Sequence, residues 1–179
     1  MADKSQNSAE FDPGADDVFA RIAGRYDRLC DVFSLFIHRH WKRHMALAIA
    51  AHDGRAILDV ASGTGDIPLR VLKALDRGSP GLRDRTIIAS DVCPQMLAIA
   101  KGKPRLADSR VRFSVLDAYA LREIETGSID LFSISFGMKI MDREQVLAEA
   151  RRVLKPGGWL FCLEAAQIKP FWLHRAYLG

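Results

Sequence analysis

Cysteine is scarce in this 179-residue chain, and the three present, Cys30, Cys93 and Cys162, stand far apart. No CxxC pair exists, which excludes a cysteine-based zinc site and a disulfide framework and fits a reducing compartment. Long hydrophobic runs are missing as well: nothing approaches the roughly 18 apolar residues needed to cross a bilayer. The opening MADKSQNSAEFDPGADD is polar and acidic, without the apolar centre of a secretory signal. The chain also lacks an excess of one charge. Lys and Arg number 26 against 22 Asp and Glu, a formal +4 that does not call for a nucleic-acid partner. No internal repeat or low-complexity segment occurs. What remains, 49% hydrophobic and 27% charged, describes one globular domain with length enough for a sizeable core. The expected location is cytoplasmic.

The stretch AILDVASGTGD, Ala56 to Asp66, organises the chain. Ile57, Leu58 and Val60 form a short β-rich run with Asp59 near its end. Gly63-Thr64-Gly65 makes a tight turn, and a helical pattern begins at Asp66. Strand, glycine turn and helix are the first unit of a doubly wound sheet, which binds ligands at the carboxyl ends of its strands. Two glycines alone are a weak signal. A dinucleotide would put its pyrophosphate on the helix N-terminus, where Asp66 already holds a carboxylate. With Asp59 the loop carries two negative charges, which suit an ammonium or sulfonium. The charge argument favours S-adenosylmethionine (SAM) over NAD here.

Upstream, residues 1–16 read as a flexible tail and residues 17–52 as N-terminal helices, one over about Val18–Tyr26 and one over about Val32–Ala51. The second contains HRHWKRH, His38 to His44, the densest basic cluster. It is read either as a solvated helix face or as a surface meeting an anionic membrane or acidic substrate. No carboxylate or cysteine is spaced to complete a metal site with its histidines. Residues 53–179 form the α/β domain. After a helix to about Asp76 and the loop RGSPGLRD comes the strand TIIAS, ending at Asp91. A carboxylate there can accept from ribose hydroxyls, the role expected about 20 residues past the glycines, or cap the helix that starts near Pro94. Val111–Val115 is a third strand, after which Asp117 either accepts from an adenine amino group or ends the strand. IDLFSIS, Ile129–Ser135, is the fourth. A helix from Arg143 to about Leu154, with Val146, Leu147, Ala150, Val153 and Leu154 inward, stops at Lys155-Pro156-Gly157-Gly158. WLFCLE, Trp159–Glu164, is the fifth, read as a buried strand. Strands alternating with helices predict a Rossmann-like, mostly parallel sheet with right-handed crossovers and helices on both faces.

LDVASGTGD, FSISFG, RVLKPGGWLFCLE and the upstream FARIAGRYDRLCDVFSLFIHRHWKR together resemble the class I SAM-dependent methyltransferases. Within them they resemble the ubiquinone/menaquinone-biosynthesis C-methyltransferases. The resemblance covers essentially everything after the tail. It implies SAM as cofactor, with contacts on Thr64, Asp91, Asp117, Ala118 and Ser135 beside Asp59, Gly63 and Gly65 of the loop. It implies methyl transfer to a ring carbon of a phenol or prenylated quinol, which becomes nucleophilic when its hydroxyl loses a proton. His38 is the candidate base, because imidazole titrates near neutrality. Two local departures fall on the substrate side. The family's Leu-Arg-Asn after SFG is here Met138-Lys139-Ile140, and its glycine before IHR is here Phe36. The family fold also continues past the fifth strand with a further strand pair. The fifth strand is therefore expected to be an apolar edge open to homodimer formation, and the basic helix to make peripheral membrane contact.

Overall fold

The computed structural model describes residues 21–78 and 84–165. The tail, the start of the first helical stretch, the middle of the RGSPGLRD loop and the segment from residue 166 onward lie outside the described residues. Helices α1 (Tyr26–Phe33) and α2 (Ile37–Ala51) lead into β1 (Ala56–Val60) and α3 (Asp66–Arg77). Then come β2 (Thr86–Asp91), α4 (Pro94–Lys101), β3 (Val111–Val115), β4 (Ile129–Ser135), α5 (Arg143–Val153) and β5 (Leu154–Leu163). The five strands form one parallel sheet in the order β3-β2-β1-β4-β5. The chain order reverses between β1 and β4, which opens a crevice at the carboxyl ends of the strands.

Both faces of the sheet are covered, so the central strands read as continuous apolar runs. Ile57 and Ile87 point to one face, where Ala46, Ile49, Val71, Leu72 and Leu75 of α2 and α3 pack. Leu58, Phe132 and Ile134 point to the other, against Val146, Ala150 and Val153 of α5. Adjacent residues enter different cores because side chains alternate across a strand. Asp142 caps α5 by accepting from the amides of Glu144 and Gln145.

Four local expectations need correction. The first helical stretch tightens into a 3-10 turn over Ala23–Arg25 before continuing as α1 to Phe33. The helix expected over Val32–Ala51 is broken, because Leu35 and Phe36 have φ of 47° and 64°. This left-handed backbone cannot continue an α-helix, and Phe36 occupies it where the resembled family carries glycine, the residue that adopts it without strain. Leu147 does not face inward with Val146 and Ala150 but is 47% exposed. One residue along a helix turns the side chain by about 100°, away from the core stripe. Finally, β5 is not buried: Trp159 is 55% exposed, Cys162 is exposed, and the strand lies at the sheet edge.

The KPGG turn has a structural task. Leu154 pairs with Ile129 and Trp159 with Leu131, so Lys155 to Gly158 bulge out between them. Lys155 Nζ lies 2.7 Å from Asp130 Oδ1, while Asp130 Oδ2 accepts from the amides of Arg55 and Ala56 at 3.0 and 2.8 Å. One carboxylate thus pins the starts of β1 and β5 to β4, at the end of the sheet opposite the crevice.

Candidate active site

A cavity of about 300 Å³ lies at the carboxyl ends of β1, β2 and β4. That is the small end of the range for small-molecule sites, about 300–1,000 Å³. Its wall includes Gly63, Asp91, Asp117, Ala118 and Ser135. Five residues expected from widely separated stretches therefore meet around one space.

Asp91, at the tip of β2, does more than face that space. Its Oδ2 accepts from the Gly63 amide at 2.7 Å and its Oδ1 from the Cys93 amide at 2.9 Å. It thus fixes the glycine loop and the start of α4 together, and each carboxylate oxygen keeps a second acceptor site. Burial raises its pKa, against the opposing pull of those amides. Gly63 has φ +55° and no atom within 4 Å of where a Cβ would stand, so its backbone is open to the cavity. Asp117 Oδ1 accepts from the Tyr119 amide at 2.9 Å, an Asx turn that holds the exposed carboxylate at the rim.

Four candidates lie off the cavity wall. Gly65 (φ +77°) is a packing glycine: a Cβ there would come within 2.6 Å of Leu106 Cδ1 and 3.1 Å of Ala100 Cβ. Thr64 is buried and donates from Oγ1 to Asp27 Oδ1 at 2.6 Å, tying the glycine loop to α1. Asp59 is fully buried, and Ser133 Oγ donates to its Oδ1 at 2.5 Å. Burial pushes its pKa up to about 6, moderated by Ser133, Ser62 and Lys42. His38 is buried on α2, its Nδ1 2.5 Å from Ser34 Oγ and its Nε2 3.7 Å from Asp31 Oδ1. Burial, then the neighbouring Lys42 charge, lowers its pKa, so it is neutral at pH 7.

The charge argument drawn from Asp59 and Asp66 does not survive packing. Asp66 is met by Arg70 Nε at 2.8 Å and by Lys42 Nζ at 3.1 Å. Burial opposes its charge, but the two cations outweigh that and hold its pKa below the ordinary range. One acid of the loop is thus neutralised by cations and the other is driven toward its protonated form. The loop carries no free pair of negative charges.

Several wall residues carried no assignment in the sequence. Tyr26 lines the cavity from α1, its phenol kept protonated first by burial and then by Cys30 and Asp91. The RYD stretch thereby acquires a physical meaning, with Tyr26 facing the cavity and Asp27 latching the loop through Thr64. Ala61 and Phe136, at the ends of β1 and β4, line the cavity with φ of 51° and 57°. Non-glycine residues in this region cost about 1–3 kcal/mol each, and such strain collects at functional sites. Only the switch from strand to loop hinted at them.

The buried polar atoms test whether a SAM-like ligand fits. Asp59 Oδ2 and Ser62 Oγ, both at the glycine loop, have no hydrogen-bond partner among the described residues. Ser62 nevertheless lowers the Asp59 pKa and both lie behind the cavity wall, so the fit to a SAM-like ligand rests on the wall acids Asp91 and Asp117 and the open backbone at Gly63.

Comparison with known proteins identifies the family. The model of the ubiE/COQ5 methyltransferase family matches residues 4–178. The ubiquinone/menaquinone biosynthesis C-methyltransferase UbiE of Acidiphilium cryptum is 41% identical over 159 residues, 86% of this chain and 59% of that protein. The mitochondrial 2-methoxy-6-polyprenyl-1,4-benzoquinol methylase of Schizosaccharomyces pombe is 37% identical over 168 residues, 89% of this chain and 55% of that protein. This chain thus spans less than two thirds of the length of these relatives. A crystal structure of a putative SAM-dependent methyltransferase from Methanococcus maripaludis has the same fold, with a TM-score of 0.63, 20% identity, and coverage of 98% of this chain and 73% of that one. With a family model covering nearly every residue, this chain belongs to the ubiE/COQ5 methyltransferase family.

Proposed function

We propose that the protein binds SAM and methylates a ring carbon of a phenol or quinol precursor in quinone biosynthesis. The observation that carries the proposal is the convergence of Gly63, Asp91, Asp117, Ala118 and Ser135 on one cavity at the switch point of the sheet. Family membership sets the reaction class.

When bound, SAM supplies an electrophilic methyl group on sulfonium. The open backbone at Gly63 admits the ligand closely, Asp91 accepts from its ribose hydroxyls, and Asp117 with Ala118 frames the adenine. Ser135 faces the amino-acid end. On the acceptor side, a hydroxyl must lose its proton so that the neighbouring ring carbon becomes the nucleophile. The C–CH₃ bond would form as the S–CH₃ bond breaks, with the sulfonium leaving as a neutral thioether; loss of the ring proton would restore the aromatic phenolate, which takes back a proton to give the phenol. The chain's part is to align the carbon with the methyl, exclude water and place the proton. His38 has the right protonation state for a base, but it is buried off the cavity wall, with Nδ1 against Ser34 Oγ and Nε2 toward Asp31, and in this arrangement it holds the turn between α1 and α2. In the Met138–Ile140 turn, Ile140 lines the cavity with an apolar side chain where the resembled family has an amide, and Lys139 stands in place of its arginine. Glu164 holds that turn by accepting from the Met138 amide at 2.7 Å.

A second reading is a cofactor-binding chain with little methyl transfer, favoured by the place of His38, the candidate base, off the cavity wall. Calorimetric titration with SAM, followed by incubation with methyl-labelled SAM and a demethylated quinol, separates the two. SAM binding with label in the quinol supports the first reading, binding without transfer the second, and absence of SAM binding refutes both. The working location is the cytoplasm, at the membrane surface.

A further inference from the structure

We propose that the turn between α1 and α2 is a membrane-docking tip for bilayers with anionic headgroups. Phe33, Leu35 and Phe36 are 85%, 78% and 57% exposed, and Val32 and Ile37 flank them in the open. Isolated apolar residues on a surface need no explanation, but five within six positions form a patch that marks an interaction site. The patch is held rigidly in place. The Ser34 amide donates to the Cys30 carbonyl, the Phe36 amide to the Asp31 carbonyl at 3.0 Å, and the Ile37 amide to the Ser34 carbonyl. Arg39 grips the Asp31 carboxylate with Nε and Nη2. Leu35 and Phe36 stand in left-handed backbone throughout. Strain of this kind persists only where the surroundings impose it.

Charge selects the partner. Set back about 7–12 Å along the two helices behind the tip, Arg25, Arg28 and Arg43 are exposed, and none makes an ion pair among the described residues. The two nearby acids are already engaged, Asp31 by Arg39 and Asp27 by Thr64 and Lys103. An apolar tip with guanidinium groups set back along its helices complements a bilayer in which acyl chains lie beneath anionic phosphates. A neutral protein groove would leave those cations unmatched.

The same hairpin borders the cavity. Tyr26 of α1 lines it, and Lys42 of α2 sits 5.7 Å above the Phe136 ring, which lines it too. On the proposed function, docking by the tip would bring the cavity to a membrane that holds the apolar acceptor. The docking itself does not depend on that function.

The test is co-sedimentation of the full chain, without SAM, with phosphatidylcholine vesicles with and without phosphatidylglycerol. The native chain is expected to pellet with the anionic vesicles at low salt and to be released as salt rises. The double variant Phe33→Ser/Leu35→Ser should lose about tenfold or more in partitioning, with its melting temperature unchanged because both side chains are solvent-exposed. The triple variant Arg25→Gln/Arg28→Gln/Arg43→Gln should lose the preference for phosphatidylglycerol. A native chain that stays in the supernatant with anionic vesicles overturns the proposal, as does a serine variant that pellets equally well. Binding to a polyprenyl quinol in neutral micelles, lost in the serine variant and without vesicle binding, would make the tip a substrate arm and also overturn it. Since no step uses SAM, failure here leaves the methyltransferase reading untouched.

Discussion

Replacing Asp59 by Asn removes a charge that the fold buries at a cost. The carboxyl is fully enclosed and its pKa rises from 3.8 to about 6. The side chains match in shape, and Asn can still accept from Ser133 Oγ while its amide points at the unpaired Ser62 Oγ. Because the folded state holds the Asp59 proton more tightly than the unfolded chain, folding takes up a proton between these two values. Stability from this group is therefore complete below about pH 4, falls as pH rises, and is lost above about pH 6. Raising the carboxyl from 3.8 to about 6, at about 1.4 kcal/mol per pH unit, gives at most about 3 kcal/mol. Urea unfolding of both proteins should show nearly equal stability near pH 4 and a more stable variant by up to about 3 kcal/mol near pH 7.5. Two stability curves that stay parallel across this pH range would refute the buried-charge argument.

Asp91→Ala removes the groups that hold the Gly63 and Cys93 amides and should weaken SAM binding by about 1.5–3 kcal/mol. Calorimetry checks this, with circular dichroism confirming the fold, and unchanged affinity would remove Asp91 from the site. Phe36→Gly relieves a left-handed φ of 64°. After the entropy of glycine in the unfolded chain is subtracted, it should stabilise by about 0.5–1 kcal/mol, read as a higher urea midpoint at constant slope. His38→Gln should leave the pH profile of methyl transfer in place and cost about 1 kcal/mol of stability through the Ser34 contact. A drop of about a hundredfold or more in kcat with loss of the acidic limb would instead make His38 the base. Trp159→Lys on the exposed edge strand should lower the self-association seen by light scattering, and a native chain that is monomeric throughout would refute pairing through β5.

Much of the architecture was legible in the sequence because its signals are local. The apolar run at Ile57–Val60, the glycine turn and the helical spacing after Asp66 each act within a few residues, and so does the period-two assignment of Ile57 and Leu58 to opposite faces. Gly63, Asp91 and Asp117 could be named because strand ends in a parallel sheet share one edge, so finding the strands finds the cavity, while Ala118 and Ser135 were named through the family resemblance. Electrostatics could not be read the same way. Asp59 and Asp66 look alike on the page, but one is buried beside serines while the other meets Lys42, 24 residues upstream, and only the packing of α2 on α3 brings that cation there. Likewise the bond from Thr64 to Asp27 spans 37 positions and ties the glycine loop to α1, a contact that no local pattern announces. The break at Leu35 and Phe36 was hidden because their apolar character continues a helical pattern. Backbone sign depends on hydrogen bonds closed by the surrounding turn, and those exist only once the helices have docked.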